Sequence, residues 1–162
     1  MNWQCLMRVA LRVSACSVAL VLGLIATASA QDEKMVVKST APFQKVASTL
    51  VQAIADEKMG LVCHANAQAG AASWGVKIQG NQVLMVFRPD FAIRMLKASV
   101  EAGIEAPIRI YIYENSEGTA TITYRKPSAV FRPYSHPDLD AIGAELDPIF
   151  ERIVAQALAA AR

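Results

Sequence analysis

Isoleucine stands at positions 108, 110 and 112, with Arg109, Tyr111 and Tyr113 interleaved. Side chains alternate faces along a strand, so this spacing predicts a ribbon from Ile108 to Glu114 with one oily and one polar side. Asn115-Ser116-Glu117-Gly118 carries the residue types of a tight turn, and Thr119 to Arg125 reads as the returning strand. The pair forms an antiparallel hairpin, which commits the chain to a sheet that turns one face inward. The rest of the chain must supply the layer that covers those isoleucines.

Helical periodicity supplies it. Thr40-Ala41-Pro42 offers a capping hydroxyl and a proline suited to a first turn, and Phe43, Val46, Ala47, Leu50, Val51 and Ile54 follow at helical spacing until Gly60. Met35 to Ser39 reads as a strand before this helix and Leu61 to Ala65 as one after it. The Ala/Gly-rich stretch from Ala65 to Gly75 suits a loop or one or two helical turns, and Gln82 to Arg88 is a third strand. Pro89-Asp90 opens a second helix carrying Phe91, Ile93, Met95, Leu96 and Val100, with its end expected at Gly103. Ser135-His136-Pro137-Asp138 starts a third in a capping-box-like arrangement, with Leu139, Ile142, Leu146, Ile149, Phe150, Ile153 and Leu158 as its stripe. Pro148 lies inside that stripe and removes a backbone donor, which predicts a kink or a break. The order β-α-β-β-α-β-β-α is that of an α+β domain, an antiparallel sheet with helices packed on one face.

The N-terminus has a different character. Arg8 and Arg12 precede an almost wholly apolar stretch from Val13 to Ile25, and Ala28-Ser29-Ala30 stands before Gln31-Asp32-Glu33. This is the pattern of a Sec-type signal peptide, with cleavage expected after Ala30 and a periplasmic or secreted product. Val13-Ser14-Ala15-Cys16 resembles a lipoprotein cleavage box, but Arg12 interrupts the apolar stretch that should precede it. The run from Val13 to Ala30 is at the short end of the roughly 20 residues that span a bilayer, so an uncleaved anchor is disfavoured. The expected organisation is a signal peptide over residues 1–30 and a single domain over 31–162, with no membrane attachment after cleavage.

Removing Arg8 and Arg12 from 16 basic residues leaves 14, equal to the 14 acidic ones. Such a balance gives no electrostatic reason to seek nucleic acid or anionic lipid. Cys5 and Cys16 belong to the leader, so Cys63 is alone in the expected product and forms no internal disulfide.

Several segments carry a family resemblance: Met59-Gly60-Leu61-Val62, the Val83 to Phe87 strand with Arg88-Pro89, and Gly103-Ile104-Glu105-Ala106-Pro107 before the Ile108 to Glu114 strand. Gly118 and Thr121-Ile122-Thr123-Tyr124-Arg125-Lys126-Pro127 continue it. From Val36 to about Phe131 the chain resembles the domain of unknown function 302 (DUF302) family. The resemblance implies a small α+β domain with an antiparallel sheet, related in layout to TATA-binding-protein-like folds, and makes a homodimer plausible. Many members carry an acidic-His pair after the second strand; here that region reads Cys63-His64-Ala65-Asn66-Ala67, with the histidine displaced.

Candidate sites follow from chemistry. Arg109, Tyr111, Tyr113, Thr121 and Thr123 are expected to share the sheet face opposite the isoleucines, where Tyr and Arg suit a ligand groove or a partner. Trp74 in the glycine-rich stretch and the Phe131 to Tyr134 segment are further aromatic candidates, though such residues more often anchor a loop on the core. Cys63 and His64, with His136 as a third, could take copper, zinc or haem iron, but adjacent strand residues point to opposite faces. A buried structural cysteine beside a surface histidine is the simpler expectation. No nucleophile elbow, HExxH or paired-acid motif is present in the sequence. The expectation is a non-catalytic binding module without a cofactor, taking a small molecule or a protein; a copper or haem protein using His64 with Cys63 or His136 is the alternative.

Overall fold

The computed structural model of the protein describes residues 34–162; the leader and its expected cleavage site lie outside the described residues. Five strands form one antiparallel sheet in the order β1-β5-β4-β3-β2. They are β1 (Lys34–Pro42), β2 (Gly60–Asn66), β3 (Asn81–Phe87), β4 (Ile108–Glu114) and β5 (Thr119–Arg125). The helices are α1 (Phe43–Asp56), α2 (Ala67–Ser73), α3 (Pro89–Ala98), α4 (Pro127–Phe131) and α5 (Pro137–Ala160), with 3-10 turns at Glu101–Glu105 and Arg132–Tyr134. The hairpin has the expected bounds, with Ile112 opposite Ile122.

The inward face of the sheet carries Leu84, Val86, Ile110, Ile112 and Ile122, all buried. Phe43, Val46, Leu50 and Ile54 of α1 and Leu139, Ile142, Phe150 and Ile153 of α5 close over them. Each such side chain contributes roughly 1.5–3 kcal/mol when fully buried. Tyr124 joins this face, its ring 5.8 Å from that of Phe150. The α1–α5 layer is clamped outside the core by Glu57, whose carboxylate takes the Arg152 guanidinium at 2.8 Å. That hydrogen bond, above all, holds the Glu57 carboxyl below the usual carboxylate range.

Several local expectations change. Thr40 does not cap α1, because β1 runs through Pro42, and Pro42 itself supplies the fixed φ of −58° at the helix entry. α1 ends earlier than expected, Lys58 turning the chain at φ 57° so that Gly60 opens β2. α3 stops at Ala98, where Ser99 is extended, and a 3-10 turn completes the path. Only Phe91 and Met95 of its apolar residues are buried; Ile93, Leu96 and Val100, read as part of the same stripe, are exposed.

The cap of α5 is His136 rather than Ser135: its Nδ1 accepts from the Asp138 N–H at 3.2 Å. The helix continues through Pro148 for 24 residues without a break. Pro148 and Ala144, whose carbonyl loses its usual donor, are both exposed, so that carbonyl is on the side of the helix open to solvent. The helix α4 has no counterpart among the expected elements. It is held against α5 by Asp147, which accepts from the Ser128 N–H and hydroxyl at 2.9 and 2.6 Å. A Cβ on Gly143 would lie 2.6 Å from the Ser128 Cα, so only glycine lets the two helices meet this closely. No helix among the described residues is long and apolar enough to cross a membrane.

Candidate functional site

Alternation along the strands sends every second side chain away from the helices, and the register aligns these into rows. One row runs Ala65, Val83, Tyr111, Thr123, Val36 across all five strands. A second holds Asn81, Tyr113, Thr121 and Lys38. The third pairs Cys63 with Met85 and Met85 with Arg109, and continues through Arg125, which is opposite Lys34. Helix-side residues of β3, β4 and β5 such as Leu84, Val86, Ile110, Ile112 and Ile122 are buried, whereas Val83, Met85, Tyr111, Tyr113 and Thr123 are half-buried and Val36 and Arg109 are exposed. The helix layer is therefore one-sided.

Tyr111 and Tyr113 lean along β4 and stack, with ring centroids 5.4 Å apart at 30°. The Asn81 amide donates to the Tyr111 hydroxyl, fixing that ring at its far end. Strand rows hold these aromatic faces in place, so ordering them on binding costs little entropy. Lys34, Lys38 and Arg109 add positive charge along two of the rows. Thr121 has a different part: it is fully buried on this side, its hydroxyl donating to Asn115 Oδ1 at 2.9 Å, while the Asn115 amide donates to the Thr119 hydroxyl at 2.8 Å. It fixes the hairpin turn beside Tyr113.

Cys63 is exposed, contrary to the expectation of a buried structural thiol. Cys63 and Ala65 lie on the sheet face away from the helices, on edge strand β2, and helix-side His64 is exposed as well because the helix layer stops short of this strand. Cys63 pairs with Met85 and His64 with buried Leu84, so the two point to opposite sides of the sheet. His64 Nε2 lies 2.8 Å from Gln82 Oε1, and His136 is engaged as the α5 cap. Among the described residues no group of three or more His, Cys, Asp or Glu side chains is placed to hold a metal.

Trp74 anchors nothing: it is 87% exposed, at the end of a helix with no buried residue. Phe131 packs instead into the core and lines an apolar cavity of about 30 Å³ with Phe91, Met95 and Ile142. That space holds a water at most and no organic ligand. The Tyr134 hydroxyl donates to Glu105 at 3.2 Å. Sequence reasoning missed the exposed stripe Ile93, Leu96, Val100 and Ile104, because helical spacing reports a stripe but not which side of it is covered.

The sequence model for "Domain of unknown function DUF302" matches residues 35–157. Comparison with curated proteins gives no match. Among solved structures, the chain is similar to an uncharacterized conserved DUF302 protein from Bacillus stearothermophilus, at 21% identity and a TM-score of 0.65 over 80% of this chain and 98% of that one.

Proposed function

The chain belongs to the DUF302 family, and from that premise we propose that it is an exported, non-catalytic binding module. Its recognition surface is the uncovered sheet face around Tyr111 and Tyr113. The observation that carries this reading is the stacked tyrosine pair, standing half-exposed on a sheet whose central strands are packed beneath helices on the opposite face. A rigid aromatic platform flanked by Arg109, Lys34 and Lys38 suits a small organic anion with a flat apolar part. Export rests on the cationic, apolar and small-residue succession of residues 8–30.

One experiment addresses both parts: native mass spectrometry of protein recovered from the exported fraction. The intact mass is expected to begin at Gln31, and a small-molecule adduct to accompany the wild type. Tyr111→Ala with Tyr113→Ala should retain the fold, since neither ring is in the core, and weaken that adduct at least about tenfold, a loss of about 1.4 kcal/mol. An equally strong adduct in the double variant, or none in either protein, removes the recognition reading.

A further inference from the structure

The two edges of the sheet are built differently. β1 carries Lys34, Lys38 and Pro42 and shifts register between Lys38 and Pro42, the devices that stop an edge from pairing with another chain. β2, with the sequence Gly-Leu-Val-Cys-His-Ala-Asn, has no lysine, acid or proline. Its register irregularity is confined to Leu61/Cys63, leaving Cys63 to Asn66 regular. Since β2 pairs only with β3 among the described residues, its outer backbone donors and acceptors face away from the sheet.

The segment that continues from β2 has the same character. From Met59 to Val76 there is no Asp, Glu, Lys or Arg, although the chain has 30 such residues in 162. Yet this uncharged segment is where the fold is most open: α2 buries nothing, and Val62, Trp74 and Val76 are 55%, 87% and 53% exposed. Absence of charge with an exposed tryptophan is the composition of an interface centre, not of a solvated surface.

We propose that β2 is the docking edge for a second copy of this chain. The two β2 strands pair antiparallel about a two-fold axis crossing Cys63–Asn66, and the arms carrying Trp74 pack beside the seam. The choice of a second copy follows from charge and area. When a strand pairs antiparallel with its own copy, only the residue at the two-fold axis faces its counterpart and the others pair symmetrically about it. A strand whose charges are all of one sign, as Lys34 and Lys38 are on β1, therefore sets like charges near one another. The β2 edge is free of that conflict, and β1 is not. Leu61 to Ile78 provides 18 largely exposed residues, close to the roughly 20–30 residues and about 800 Å² per partner of a standard interface. The pairing stands independently of what the tyrosine face binds.

Sedimentation velocity and light scattering on the purified protein test this directly. The wild type is expected to have twice the chain mass at micromolar concentration. Ala65→Lys and Ala65→Glu each place a charge near the axis on an exposed strand position, and each should weaken the dimer at least about tenfold. Mixing the two variants should restore a dimer, a rescue that a folding defect does not give. Trp74→Ala should weaken association without moving the circular dichroism spectrum. A wild type that stays monomeric, whether or not it binds another kind of partner, overturns the proposal. So does a dimer that neither Ala65 substitution changes.

Discussion

At the scale of single residues, burial decides chemistry more than identity does. Four tyrosines occur in the chain, and the structure gives them different environments. Tyr124 is 4% exposed against Phe150, and this burial, reinforced by Glu151 and Asp147, pushes its hydroxyl up to about 12. A group whose pKa rises on folding stabilises the fold fully below its unfolded value, and that stability is lost as pH climbs through the folded value. The window for Tyr124 is therefore from about 10 to about 12. Within it stability should fall by up to about 1.4 kcal/mol per pH unit. Tyr124→Phe should flatten that part of the profile; denaturant titrations at a series of alkaline pH values check it, and an unchanged slope contradicts it. The periodic sequence Thr-Ile-Thr-Tyr-Arg places Tyr124 on the inward side with Ile122. Nothing local to Cys63 reveals its exposure, because that depends on which face of the sheet the helices from elsewhere cover and on β2 being an edge strand.

At the scale of elements, the strands were the most legible. Ile108 to Glu114 and Thr119 to Arg125 are bounded as their alternation indicates, because period two and a turn with Gly118 at φ 78° admit one local solution. Helix ends were less so. Thr40 has the chemistry of a cap, but β1 runs past it to Pro42, whose pairing with Thr119 on β5 moves the helix start to Phe43. The proline in α5 shows why local rules bend. Its penalty depends on whether the freed carbonyl is left dry, and here the Ala144 to Pro148 side of the helix is wet. Pro148→Ala restores a donor on an exposed face without touching the core. It should stabilise the protein by about 1–2 kcal/mol, part of the usual cost of proline inside a helix. Thermal unfolding reads this as a rise of several degrees; a fall means that the proline holds a curvature that α5 needs. The short α4 was illegible because five residues carry no periodicity, and its stability comes from Asp147 and the space left by Gly143.

Taken together, the described residues set helices over the central strands on one face of the sheet and none on the other, so stability is distributed unevenly. β4 and β5 are paired on both edges and packed beneath α1 and α5, whereas β2 is paired on one edge and α2 buries nothing. Hydrogen exchange should therefore be slowest in β4 and β5 and fastest in α2, since opening α2 exposes no core. Peptide-resolved exchange by mass spectrometry reports the order, and an α2 as protected as β4 contradicts it. By itself, the sequence determined the hairpin, the one-sided sheet and the tyrosine row, since alternation along one strand is a local property that burial simply obeys. The placement of β2 at an edge, the reach of the helix layer and the exposure of Cys63 and Trp74 were decided only in three dimensions. Each depends on strand order and on which distant segments arrive to cover a surface, and neither is written in the spacing of neighbouring residues.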